Sequence, residues 1–164
     1  MPDTTMPDTT MPDTTMPDTT RTTAEARDQV GEATAADAEI RSLVDRWARA
    51  VHDGDLAGVL VDHSDDIVMF DVPPPEDGAR GLDAYRATWP PFFEWQRSGG
   101  CFELVEVDVT AGDDVAFVWA LLRCGTEAGL ADEPDRRLRL TLGLRREGGR
   151  WAVAHEHHSF TDRS

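Results

Sequence analysis

Between Phe102 and Phe160 the chain is built almost wholly of strand-forming residues, and this stretch limits its folds more than any other. Four long runs, Phe102–Val109, Val115–Cys124, Arg136–Arg146 and Trp151–Phe160, are rich in Val, Leu and aromatic residues. Tight turns at Ala111-Gly112-Asp113 and Glu147-Gly148-Gly149 divide them, with a longer acidic loop over 125–135. What precedes them reads as helix. Ile40, Leu43, Val44, Trp47 and Val51 recur at steps of three and four; Thr34 and Asp37 stand ahead of them at capping-box spacing, and Gly54 ends the stripe. Asp55 is placed to cap a short helix carrying Leu56, Val59 and Leu60. Ile67–Phe70 reads as a strand stopped by Asp71 and Pro73-Pro74-Pro75, and Leu82 to about Trp95 as a helix broken or kinked at Pro90-Pro91. Helices first and four long strands afterwards imply an α+β fold, a curved antiparallel sheet wrapped on N-terminal helices.

The domain is expected over residues 36–162. Residues 1–20 are Met-Pro-Asp-Thr-Thr four times over, and a proline in every five-residue unit cannot propagate a helix. With the Thr-, Ala- and Glu-rich residues that follow, 1–35 is expected to be a disordered tail. Acidic residues outnumber basic ones 32 to 16, for a formal charge of −16, and every basic residue is Arg. A surface this negative repels phosphate backbones and anionic lipid, so neither nucleic acid nor membrane is an expected partner. No run approaches the ~20 apolar residues of a membrane span, and the N-terminus has no basic-then-apolar leader pattern. Two cysteines, Cys101 and Cys124, fit reduced core residues. The expectation is a cytoplasmic protein.

In the run 115–124, Val115, Phe117, Trp119 and Leu121 share one face, and Ala116, Val118, Ala120, Leu122 and Cys124 the other. A sheet wetted on one side alternates apolar with polar; this strand is apolar on both. One face covers the helices, and the other is expected to meet a second copy of the chain in a homodimer.

This order of elements resembles the cone-shaped, barrel-like domains of the NTF2-like superfamily, in its SnoaL-like, ketosteroid-isomerase-like branch. The likeness runs over about 37–162. It is carried by the helix Ile40–Val51 leading into His52-Asp53-Gly54-Asp55-Leu56, by the strand ending at Asp71 ahead of Gly78-Ala79-Arg80-Gly81-Leu82, and by the ending Gly149-Arg150-Trp151-Ala152-Val153-Ala154-His155-Glu156-His157-His158-Ser159. The resemblance implies a cone holding a small hydrophobic molecule without a cofactor. Members include isomerases, cyclases, dehydratases and epoxide hydrolases as well as silent association domains, so it leaves chemistry open.

Asp71 matches the place of the general-base Asp of ketosteroid isomerases. Beside apolar walls its pKa is expected to rise, which suits proton shuttling on carbon; an Asp before Val-Pro-Pro also caps a turn. The isomerases pair that base with a Tyr on the first helix and a protonated Asp on a late strand. Trp47 and Thr141 stand there instead, so that oxyanion machinery is missing or rebuilt. His157 is the expected acid or anchor and His155 its neighbour on the same face, with Trp47, Tyr85 and Trp119 as the rings expected to meet a ligand. No ligand set for a metal emerges by spacing. Two readings stand side by side: a domain that binds a small apolar molecule, and a cofactor-independent isomerase, cyclase or hydrolase using Asp71 as base.

Overall fold

After Pro17 no proline occurs until Pro73, and most of the backbone between them is helical. A computed structural model describes residues 19–162, with side chains described from residue 35. Helix α1 (Thr19–Asp53) starts well before the expected cap at Thr34. Asp37 does not cap a helix start: its carboxylate takes a 2.7 Å bond from Arg41 one turn on. The stretch 19–35, expected within the tail, therefore continues the helix, while most of the repeat lies outside the described residues. From Ala36 onward α1 presents the expected stripe, with Ile40, Leu43, Val44, Trp47, Ala50 and Val51 all buried. Helix α2 (Leu56–Leu60) follows Asp55, which holds the N-cap position without a side-chain cap bond.

Strand β1 (His63–Phe70) is longer than expected, and a two-residue strand β2 (Ala79–Arg80) pairs with it antiparallel. Helix α3 (Leu82–Arg97) runs through Pro90 and Pro91 unbroken, burying Tyr85, Trp89 and Phe93. Strands β3 (Gly100–Ala111) and β4 (Val115–Thr126) are followed by a short helix α4 (Glu127–Asp132) within the acidic loop, capped by Thr126, and by β5 (Leu138–Glu147) and β6 (Arg150–Ser159). The curved, unclosed sheet has the order β2-β1-β6-β5-β4-β3. It is mixed, not wholly antiparallel, because β1 runs parallel to β6. No helix among the described residues is long and apolar enough to cross a membrane.

The inner face carries Ala116, Val118, Ala120 and Leu122 of β4 and Leu138, Leu140, Leu142 and Leu144 of β5, all buried against the helices. Two irregularities shift the phase of the neighbouring strands. Val105 has no partner in the β3–β4 ladder, so inward positions pass from Phe102 and Leu104 to Val107 and Val109. Ala154 is skipped between Leu144↔Val153 and Gly143↔His155, so the inward set passes from Trp151 and Val153 to Glu156 and His158.

The chain between β1 and β2 returns through Gly78 at φ +74°, where an added Cβ would collide with the Met69 carbonyl oxygen and the Phe70 ring. Gly78→Ala should therefore lower stability by ~1–3 kcal/mol, the scale of a strained backbone position, read as a lower urea midpoint with unchanged slope. An unaltered midpoint would show that this return is not constrained.

Candidate functional site

Alternation along β1 puts Met69 and Asp71 on one face, and Met69 is buried in the core. The parallel ladder pairs Met69 with Glu156 and Phe70 with His157, so Asp71 emerges beside His158. There His158 Nδ1 lies 3.3 Å from Asp71 Oδ1, and His158 Nε2 lies 3.4 Å from Glu156 Oε1. The ring thus stands between two carboxylates, at distances longer than the ~2.8 Å of a tight charge-assisted hydrogen bond. The side chain of His158 is 6% exposed, that of Glu156 0% and that of Asp71 35%, so only Asp71 reaches outward.

Each carboxylate has further support. The Val72 amide donates to Asp71 Oδ1 at 2.7 Å. Behind His158, Tyr85 Oη donates to Glu156 Oε2 at 2.9 Å and lies 3.1 Å from His63 Nε2, while Trp47 Nε1 donates to Tyr85 Oη at 3.4 Å. His63 stacks on Tyr85 and its Nδ1 lies 3.0 Å from the Val61 carbonyl oxygen. Burial and the nearby Glu156 charge push the Tyr85 phenol well above its ordinary pKa, which keeps it a donor.

Burial acts to raise the pKa of Asp71, as expected from the sequence. The hydrogen-bonding reach and charge of His158, with the Val72 amide, outweigh it and hold the carboxyl below the ordinary carboxylate range. His158 is the mirror case: burial works against its charge, but Asp71 and Glu156 hold the imidazole above its ordinary value. Asp71 is thus one member of an Asp–His pair, ionic wherever His158 is protonated, and not an isolated carboxyl with a raised pKa.

The pair borders a cavity of about 620 Å³ between the 71–79 return, α3 and the ends of the long strands. Its walls are mostly rings and prolines: Trp89, Phe92 and Trp95 of α3, Phe102, Phe160 and Pro73–Pro75. Asp71, His158, Thr88 and Cys124 supply the polar groups, and among the described residues no Arg lines it. The Cys124 thiol is pushed up to about 11, first by burial and then by Cys101 and Asp71, so it is protonated and a poor nucleophile at neutral pH. Both cysteines are free.

Of the expected site residues Asp71, His155, His157, Trp47, Tyr85 and Trp119, Asp71 alone lines this cavity. Trp47 is buried one layer behind it, edge-on to Trp89 and Phe102. Tyr85 is fully buried. Trp119 lies on the outer sheet face, as do His155, bonded to the Val68 carbonyl, and His157, edge-on to Phe70. The place expected for His157 is taken by His158. Among the described residues no group of three or more His, Cys, Asp or Glu side chains is arranged to hold a metal ion. Glu156 and His158 carried one legible signal, the face they share by alternation, and His63 carried none.

A family model for the SnoaL-like domain matches residues 40–163. Among solved structures, an NTF2-like protein of unknown function from Pseudomonas putida KT2440 is 41% identical, with a TM-score of 0.66 over 77% of this chain and 87% of that one. An NTF2-like protein with a cystatin-like fold from Novosphingobium aromaticivorans (20% identity, TM-score 0.62, 92% of this chain and 94% of that one) shares the fold. So does a ketosteroid isomerase-like protein from Erwinia carotovora atroseptica (21%, TM-score 0.58, 77% and 96%). No curated protein matches.

The ion pair gives stability a defined pH window. Asp71, depressed in the fold, contributes above its unfolded pKa of ~4, and that contribution is lost as pH falls through its folded value. His158, elevated in the fold, contributes fully below ~6.5 and loses it as pH rises through its folded value. The melting-temperature gap between the native protein and His158→Asn should therefore be widest between about pH 4 and 6.5 and close on the alkaline side. A gap constant from pH 5 to 9 would mean that no such pair exists.

Proposed function

The chain belongs to the SnoaL-like domain family, within the NTF2-like superfamily, and from that premise we propose that its cavity binds a small, uncharged, ring-containing molecule bearing a hydroxyl or similar donor. The observation that carries this reading is the composition of the cavity wall: stacked rings and prolines, with one partly exposed carboxylate, Asp71, at the polar end. A volume of about 620 Å³ suits a molecule of a few rings. A ligand carboxylate or phosphate would face Asp71 with no Arg among the described lining residues to receive it, so an anion is disfavoured.

A second reading rests on the same pair. A carboxylate that accepts a proton beside an imidazolium that donates one is suited to shifting a proton on a ring ketone, as an isomerase, cyclase or hydrolase requires. Calorimetric titration with 2-naphthol and 2-naphthoate tests the first reading. The alcohol should bind at least about tenfold tighter, or ~1.4 kcal/mol, and equal affinity would overturn it. Deuterium exchange of 2-tetralone in heavy water tests the second. Exchange faster than in buffer and lost in Asp71→Asn supports catalysis, whereas the buffer rate leaves binding alone.

Assembly follows from the outer face. Val115 is 67% and Phe117 47% exposed, and Trp119 and Leu121 continue their row. Leu121 is flanked in register by Glu106 on one side and Arg139 on the other. A two-fold axis through the row would bring the acid of one copy to the base of the other, and a second copy is the partner we propose. Val118 and Leu122 point into the core, so the informative substitution is Phe117→Arg, which places a charge at the centre of the seam. Light scattering should give a dimer for the native chain and a monomer for the variant; a native monomer at micromolar concentration would overturn the homodimer.

A further inference from the structure

Glu156 is a fully buried carboxylate on a chain whose buried charges are few, and no Arg meets it among the described residues. Burying a carboxylate costs several kcal/mol unless its oxygens are engaged. One oxygen takes the Tyr85 hydroxyl at 2.9 Å; the other faces His158 Nε2 at 3.4 Å. A volume-matched apolar residue would fill the same space at lower cost, so packing alone does not account for an acid here.

We propose that Glu156 is a positioning residue: anchored by Tyr85, it fixes the ring of His158 from behind so that Nδ1 is presented to Asp71 at the cavity. This rests on the reading of the Asp71–His158 pair as the polar end of the binding cavity. A carboxylate at Nε2 favours a ring protonated on both nitrogens, with Nδ1 turned to Asp71 at 3.3 Å and Nε2 to Glu156 at 3.4 Å, contacts of charge that lack hydrogen-bond geometry. With an amide in its place, Nε2 can accept from the amide, and one proton on Nδ1 suffices. Tyr85 sets which way the acid points, and it is itself held by Trp47 Nε1 and stacked on His63, whose Nε2 lies 3.8 Å from Glu156 Oε2. Trp47 and Tyr85 thus serve the cavity through Glu156, without reaching a ligand.

The titratable groups around the His158 ring are Asp71 after β1 and Glu156 on β6, with Cys124 of β4 on the same cavity wall. His63 of β1 and Tyr85 of α3 stand behind Glu156, and Arg136 stacks over Phe160 at the cavity edge. The test is an NMR titration of the ligand-free full chain, with the His158 ring signal assigned by its loss in His158→Asn. In Glu156→Gln the midpoint of that signal should fall by about one pH unit or more, the scale of one lost neighbouring charge. Tyr85→Phe keeps the volume and removes the hydroxyl that holds Glu156 Oε2 at 2.9 Å; the midpoint should fall there too, and this variant decides the matter if Glu156→Gln does not fold. A midpoint that stays or rises in the folded variants would overturn the proposal, since a merely space-filling Glu156 would not move it. Because the titration uses no ligand, failure of 2-naphthol to bind would sink the binding reading and leave this result to be judged separately.

Discussion

One skipped residue, Ala154, decides which chemistry faces the inside of this protein. Upstream of it β6 buries Trp151 and Val153; downstream it buries Glu156 and His158, because a single unpaired residue reverses the side-chain phase of everything after it. The parallel ladder between β1 and β6 then brings Asp71 up to that second half. Without the bulge, His155 and His157 would lie under the helices and the acid would point to water. Ion pair and buried acid both follow from this local irregularity, and the acid gives the Tyr85 phenol its acceptor.

The energetics divide the protein into two regions. Along β4 and β5 the inner face is Ala, Val and Leu, and its stability comes from apolar burial of ~25 cal/mol per Å². Next to it, around Glu156, five polar side chains (Trp47, His63, Tyr85, His158 and Glu156 itself) are shut away from water. Such a cluster contributes little net stability and is costly when a single member is missing. A chain retaining it beside a cavity has put geometric precision ahead of stability, as binding and catalytic sites commonly do.

Most of the architecture could be read from residues alone, because periodicity reports burial. The stripe from Ile40 to Val51, the long strands and the turns at Gly112 and Gly148 all lie where the pattern puts them. The parallel ladder was not legible, since no local pattern tells which neighbour β1 will choose. The site was half legible. Asp71 stood out as an acid closing an apolar strand, and alternation separated His155 and His157 from Glu156 and His158. Unbroken alternation from Trp151 and Val153 points the first pair inward, and a bulge of one alanine leaves no mark in composition. The depressed pKa of Asp71 was hidden for the same reason, since its cause is a partner whose inward orientation depends on that bulge.

The two prolines of α3 bear on how the cavity wall is built. Neither Pro90 nor Pro91 has an amide hydrogen, so the carbonyls of Arg86 and Ala87 lose their helical donors, and the rod is two rungs short at its middle. Upstream of the gap Tyr85 is locked into the buried polar cluster; downstream Phe92 and Trp95 form the wall. The ring wall, Trp89 included, thus hangs on the stretch of helix around this gap, whereas the acid and imidazole opposite stand at the end of β1 and on β6. Wall and polar end thus belong to different elements, so a cavity of another shape could arise from changes to a single helix while the pair opposite stays as it is.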